Sequence, residues 1–193
     1  MLDLKGKKLI LASKSPRRAQ LLKLLDLEFE VVESGVDENN EAYEIPEVHV
    51  LELAQKKAGK VAENIKDGLV LGADTIVVLD GRILGKPADR KQAHEMLRLL
   101  SGRRHTVYTG FAVIDLPSGK TVSDYERTEV YFRELSEGEI ARYVETECPL
   151  DKAGAYGIQD LSAVFVDKVE GCFYNVVGFP VTKFYITMKS FLN

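Results

Sequence analysis

The apolar run Leu9-Ile10-Leu11-Ala12 passes through Ser13-Lys14 into Ser15-Pro16-Arg17-Arg18, and this junction constrains the fold more than any other stretch. Four apolar residues in a row predict a buried strand. Ser15 suits an N-cap, and Pro16 suits the first helical position, where a missing N–H costs nothing. Leu21, Leu22, Leu24 and Leu25 then offer an apolar face for a helix. A strand turning directly into a helix belongs to an α/β architecture. The charge at the junction is the unusual part. A helix N-terminus is partially positive, so cations such as Arg17 and Arg18 are disfavoured there by about 0.3–1 kcal/mol. Either the two arginines are simply solvated, or free N–H groups and guanidinium forks together hold an anion such as phosphate.

Strand and helix patterns alternate along the rest of the chain. Phe29 to Val32 reads as a strand, followed by a polar segment from Glu33 to Glu44. Pro46 opens a helix to about Glu63 that turns Val50, Leu53, Ala54, Lys57 and Val61 to one face. Leu69 to Ala73 is a buried strand, and Ile76 to Leu79 and Arg82 to Leu84 flank the hairpin signal Asp80-Gly81. Asp89 caps a helix reaching Leu100. Thr106 to Ile114 and Thr121 to Phe132 read as strands around Pro117-Ser118-Gly119. Ser136 and Glu139 have capping-box spacing for a helix to about Thr146. Ala163 to Val169 and Phe173 to Val177 read as strands around Glu170-Gly171, and Pro180 opens a final helix. The expected fold is α/β, with a mixed, partly antiparallel sheet, flanking helices and a single domain over residues 1–193.

Composition removes several classes of function. The net charge of −4 gives no electrostatic footprint for duplex nucleic acid or anionic lipid, so any anion must be met by a local basic pocket. Cys148 and Cys172 form no CxxC, and His49, His94 and His105 are scattered. This argues against a structural zinc site and for a reducing, cytoplasmic setting. No apolar segment approaches the roughly 20 residues that span a bilayer, and the N-terminus lacks the pattern of a secretory signal. Neither GxGxxG after the first strand nor GxxxxGK[ST] occurs, which leaves out the dinucleotide fingerprint and the P-loop.

Asp74 interrupts the apolar run from Leu71 to Val78. A carboxylate there costs several kcal/mol unless it is paired, hydrated or bound to a cation. It either caps a turn beside Gly72 or serves as a metal ligand or general base. Thr75 beside it is a good strand residue or a hydrogen-bonding partner for a ligand. Lys57 and Lys86 each read as surface lysines when taken singly. With Arg17, Arg18 and Asp74 they form the cation-plus-carboxylate set that a polyphosphate–metal site needs. The stretch from Asp151 to Gln159 is either a connecting loop or a ligand loop. Gly154 and Gly157 would there allow close backbone approach, and the amide of Gln159 would read a nucleobase edge. Glu38 is an exposed loop acid or a further metal carboxylate.

Taken together these stretches resemble the Maf family of nucleoside triphosphate pyrophosphatases. The matching pieces run in order over nearly the whole chain. They are Ser13 through Arg18, Leu53-Ala54 with Lys57-Ala58, Gly72 through Thr75, Gly85-Lys86-Pro87, Ser101-Gly102 with His105, and Asp151 through Gln159. The resemblance implies an α/β fold related to inosine triphosphate pyrophosphatases, with two lobes around a deep cleft. It implies metal-dependent hydrolysis, with Mg²⁺ or Mn²⁺, of a nucleoside triphosphate to the monophosphate and pyrophosphate. Asp74 would accept the proton, with Lys57 and Lys86 as catalytic cations. Ser13, Arg17, Arg18, Thr75 and Gln159 would bind substrate, and Asp74 and Glu38 would hold the metal. A homodimer and a link to septum formation are further implications.

Arg-Arg after the proline, Asp-Thr after Gly-Ala and the Gly-Ala-Tyr-Gly-Ile-Gln loop resemble the branch acting on dTTP and UTP. The sister branch, acting on 7-methyl-GTP, tends to carry Trp-Arg and Ser-Asp-Gln at the first two places. House-cleaning of modified pyrimidine nucleotides would use the same pocket. A non-catalytic nucleotide sensor is the competing reading, and Asp74 among the cations speaks against it because a sensor needs no base.

Overall fold

The computed structural model describes residues 2–37, 45–146 and 148–193. Its strands are β1 (Leu9–Leu11), β2 (Phe29–Val31), β3 (Gly68–Leu79), β4 (Arg82–Leu84), β5 (Arg104–Leu116), β6 (Lys120–Phe132) and β7 (Val166–Glu170). The helices are α1 (Pro16–Lys23), α2 (Pro46–Ala62), α3 (Arg90–Leu100), α4 (Glu137–Glu145), α5 (Phe173–Val177) and α6 (Val181–Phe191). The strands form one sheet in the order β2-β1-β3-β5-β6-β7, with β4 paired to β3. β1 runs parallel to both β2 and β3, whereas β3·β4 and β6·β7 are antiparallel. The fold is therefore α/β with a mixed sheet, as the alternation of patterns predicts. Among the described residues no helix is long and apolar enough to cross a membrane.

The chain gathers into two compact units. The first holds the chain up to Asp74, Thr109–Glu126 and Gly178–Asn193. Its strand β1 is sequestered completely, and Ile10, Ala12, Ala58, Val61 and Val70 pack into one apolar cluster. α2 buries the face the sequence assigns to it, Val50, Leu53, Ala54, Lys57 and Val61, together with Ala58. Its approach to β3 is very close, because a Cβ at Gly72 would stand 2.1 Å from the Ala54 carbonyl oxygen. Only glycine leaves room there. Phe111, Phe179 and Phe184 fill a second cluster with ring centroids 5.0–6.1 Å apart.

The second unit holds Thr75–Tyr108 and Arg127–Val177. Asp80 and Gly81 both take positive φ, 50° and 77°, the signature of the hairpin turn that their sequence predicts. Asp89 caps α3 by accepting the Gln92 N–H at 2.7 Å. Ser136 and Glu139 form the predicted capping box on α4. α3 and α4 bury Ala93, Met96, Leu97, Leu100, Ile140, Tyr143 and Val144 in a core shared with Phe132, Tyr156 and Phe165.

Four expectations are corrected. β3 is one strand of 12 residues that runs through Asp74, so the carboxylate neither caps a turn nor separates two strands. Leu24 is exposed, because α1 stops at Lys23 and leaves Leu24 at the cap, with Leu21 and Leu22 alone fully buried. Residues 161–165 form a 3₁₀ turn before β7, held by Asp160, whose side chain accepts the Ser162 N–H. Phe173–Val177 is a helix and not a strand. Its β-branched and aromatic residues favour extended backbone, but Asn175 overrides them. Buried completely, it donates from Nδ2 to the Val107 carbonyl at 3.0 Å and to Thr128 Oγ1 at 2.9 Å.

Candidate active site

In the first unit the register pairs Leu11 on β1 with Leu71 on β3. Ser13 lies two residues beyond that pair and Asp74 three beyond it, so both belong to the carboxyl end of parallel strands. Open α/β sheets collect their ligands at that end. Asp74 and Lys57 are both buried there, with side chains 7% and 4% exposed, and Lys57 Nζ donates to Asp74 Oδ1 at 2.7 Å. The same ammonium lies 3.5 Å from the Ala73 carbonyl. The sequence places a lysine on the inner face of α2 and a carboxylate in an apolar strand, and the structure shows that each is the other's partner. The contact depends on Gly72, two residues before Asp74, which lets α2 come down onto β3.

The turn after β1 is built around Ser13. Its Oγ accepts from the Ser15 N–H and from Arg18, each at 3.2 Å. Arg18 Nε donates to the Gly178 carbonyl at 3.0 Å. Arg18 thus ties the start of α1 to the segment before α6, a structural duty the sequence does not reveal. Ser15 caps α1 as expected, through a long 3.5 Å bond from the Arg18 N–H. Arg17 is half-buried next to it.

In the second unit Thr75 is half-buried and follows Asp74 directly along β3. Lys86 is exposed beyond β4, and the register pairing Val77 with Leu84 carries the Lys86 segment toward the Thr75 end of β3. The Gly154 N–H donates to the Gly85 carbonyl at 3.0 Å, which fastens the Asp151–Gln159 loop to the Lys86 segment. Gln159 is exposed at a corner of the turn that the Asp160 N–H closes onto the Gly157 carbonyl, at 3.1 Å. Deeper in the loop Tyr156 is buried, its hydroxyl 2.8 Å from His105 Nε2. Burial holds the His105 pKa down at about 4, against a weaker upward pull from the Arg103 backbone. Burial also pushes the Tyr156 phenol well above the tyrosine range.

The structure thus joins Lys57 to Asp74, Arg18 to Ser13, and the Lys86 segment to the Gln159 loop. Glu38 lies outside the described residues. Among the described residues no group of three or more His, Cys, Asp or Glu could hold a metal by protein alone. Sequence reasoning passed over Lys152, Asp160 and Ser162, which hold the Gly157–Asp160 turn that carries Gln159. The spacing Asp160-x-Ser162, typical of a side chain capping its own following turn, is the signal that points to them.

A sequence model described as Maf-like protein matches residues 8–191. This chain belongs to the Maf family. Among its Maf relatives is a protein of Bacillus cereus named dTTP/UTP pyrophosphatase, 53% identical over 185 residues and 96% of each chain. A Bacillus cytotoxicus protein of the same name is 54% identical over the same length and coverage. A solved structure, the Staphylococcus aureus Ham1 protein, aligns with a TM-score of 0.46 at 16% identity, over 65% of this chain and 72% of that one.

Proposed function

We propose that this chain is a nucleoside triphosphate pyrophosphatase that converts dTTP and UTP to the monophosphate and pyrophosphate. The observation that carries the reading is the buried Lys57–Asp74 pair, just beyond the part of β3 that pairs in parallel with β1. Its support is membership of a family whose relatives, at 53% and 54% identity, are named for that activity. A buried ion pair is a poor means of stabilising a fold, so chemistry is the better account of it. In this reading Asp74 orients a water and takes its proton as oxygen attacks the α-phosphorus. Lys57 holds the carboxylate in place and adds a cation beside the phosphates. Ser13 and Arg18 at the α1 N-terminus bind phosphate oxygens, with Lys86 as a further cation. Arg17, Thr75 and Gln159 read the pyrimidine.

The residues present suit a divalent cation. Mg²⁺ is usually bound by one or two carboxylates together with substrate phosphates, and Asp74 is one such carboxylate, with Glu38 as a candidate second. When bound, Mg²⁺ or Mn²⁺ would neutralise charge on the phosphates.

The test is a panel of NTPs, dNTPs and 7-methyl-GTP with Mg²⁺ or Mn²⁺, scored for monophosphate plus pyrophosphate against diphosphate plus phosphate. Pyrophosphate release concentrated on dTTP and UTP supports the proposal. Nucleotide binding without turnover would favour a sensor and leave Asp74 without its role.

A further inference from the structure

Gln159 is carried by a short turn, and that turn is held by a closed polar network. The Gly157 N–H donates to Ser162 Oγ at 3.0 Å, and the Ser162 N–H donates to Asp160 Oδ1 at 2.9 Å. The Ser162 hydroxyl has two acceptors for its single proton, Asp160 Oδ1 at 2.7 Å and the Gly157 carbonyl at 2.9 Å. Tyr143 donates its hydroxyl to Asp160 at 3.1 Å, and Lys152 lies 3.3 Å from Asp160 Oδ2. Lys152 also donates to the Cys148 carbonyl at 2.6 Å. Ser162 is fully buried, so the centre of the network is shielded from water. Gly157 completes it, since a Cβ there would stand 2.6 Å from Lys152 Cε and 2.7 Å from Asp160 Oδ2.

Far more hydrogen bonding is spent here than an exposed surface turn needs. The residues on either side of Ile158-Gln159 are fixed while the Gln159 side chain itself is left exposed. A glutamine amide discriminates bases only if it is held in place, because hydrogen bonds weaken steeply with misalignment. A loose amide can also turn over and satisfy cytosine as well as uracil. We propose that Ser162 and Asp160 are positioning residues that set the place of Gln159 and so sharpen selection of uracil over cytosine. This rests on the reading of Gln159 as a base-recognising residue.

The experiment compares kcat/KM for UTP and CTP, with Mg²⁺, in wild type, Gln159→Ala, Ser162→Ala, Asp160→Asn and the Gln159→Ala/Ser162→Ala double variant. Gln159→Ala is expected to lower the UTP:CTP ratio. Ser162→Ala should lower it roughly 5- to 20-fold, mainly through KM for UTP, and should add nothing in the Gln159→Ala background. Asp160→Asn keeps an acceptor for Ser162, so its loss should be smaller, roughly 3-fold. It serves in place of Ser162→Ala should that variant fail to fold. A wild-type ratio in both variants, with Gln159→Ala impaired, overturns the proposal. So does a loss of the same size with and without Gln159. A wild-type ratio in Gln159→Ala overturns the base-recognition reading beneath it, and is told apart by that single variant alone.

Discussion

A Cβ on Gly72 would stand 2.1 Å from the carbonyl oxygen of Ala54 and 2.7 Å from the Ala58 nitrogen. Lys57 lies between those two helix residues, and Asp74 lies two residues beyond the glycine. The contact that lets α2 touch β3 is therefore the contact that sets Nζ of Lys57 2.7 Å from Asp74.

Gly72→Ala is expected to cost about 3 kcal/mol or more, because backbone on both sides must move. Two other glycines give the opposite result. A Cβ at Gly59 in α2 or at Gly138 in α4 would meet nothing within 4 Å. Alanine at either should stabilise by about 0.5–1 kcal/mol through helix propensity. Urea denaturation of the three variants checks both signs, and an unharmed Gly72→Ala would contradict the packing described.

The ion pair makes a second contrast. Lys57→Met leaves Asp74 buried without its ammonium and should destabilise by about 3 kcal/mol. Adding Asp74→Leu removes the stranded charge and should restore much of the loss, with no activity. Asp74→Asn alone should stay folded while turnover falls by about 10²–10⁴. Denaturation and pyrophosphate release, measured together, separate these effects. Turnover near wild type in Asp74→Asn would remove it as the base.

Arg18 has a structural share that Arg18→Lys isolates. A lysine keeps the charge but cannot reach both Ser13 Oγ and the Gly178 carbonyl as the guanidinium does, at 3.2 and 3.0 Å. The expected loss is about 1–2 kcal/mol of stability together with a raised KM for UTP. An unchanged melting midpoint would show that the two hydrogen bonds are dispensable.

Legibility followed where the physics was local. The Ser136–Glu139 capping box, the Asp80-Gly81 turn and the inner face of α2 depend on neighbours along the chain, and all three stand as their spacing predicts. Asp74 and Lys57 were legible as anomalies, a charge in an apolar strand and a cation on an apolar face. Their pairing was not legible, because it depends on how closely one helix approaches one strand. The α5 segment misled for the same reason. Its propensity is extended, yet Asn175 finds buried partners at Val107 and Thr128, distant in sequence. The Asp160–Ser162 network in the turn that carries Gln159 also draws on Tyr143 and Lys152, whose nearness only the folded loop reveals.

His105 is expected to give the chain a pH-dependent stability. The ring is 2% exposed, stacks edge-on against Phe132 at 5.0 Å and Tyr156 at 5.3 Å, and bonds the Tyr156 hydroxyl through Nε2. Burial lowers its pKa from 6.5 to about 4, so the native state keeps it neutral where the unfolded chain would protonate it. Between about pH 6.5 and 4 the unfolded state binds the extra proton, and stability therefore falls as the solution is acidified. Above pH 6.5 both states are neutral at this site and the dependence vanishes. Below about pH 4 both are protonated and it levels off. The full loss is on the order of 3 kcal/mol. His105→Gln keeps a hydrogen-bonding side chain near Tyr156 and removes the titration, so its stability between pH 6.5 and 4 should fall less steeply by up to one proton. Urea denaturation at half-unit pH steps measures both slopes. Equal slopes in wild type and variant would mean that the buried ring does not couple protonation to unfolding.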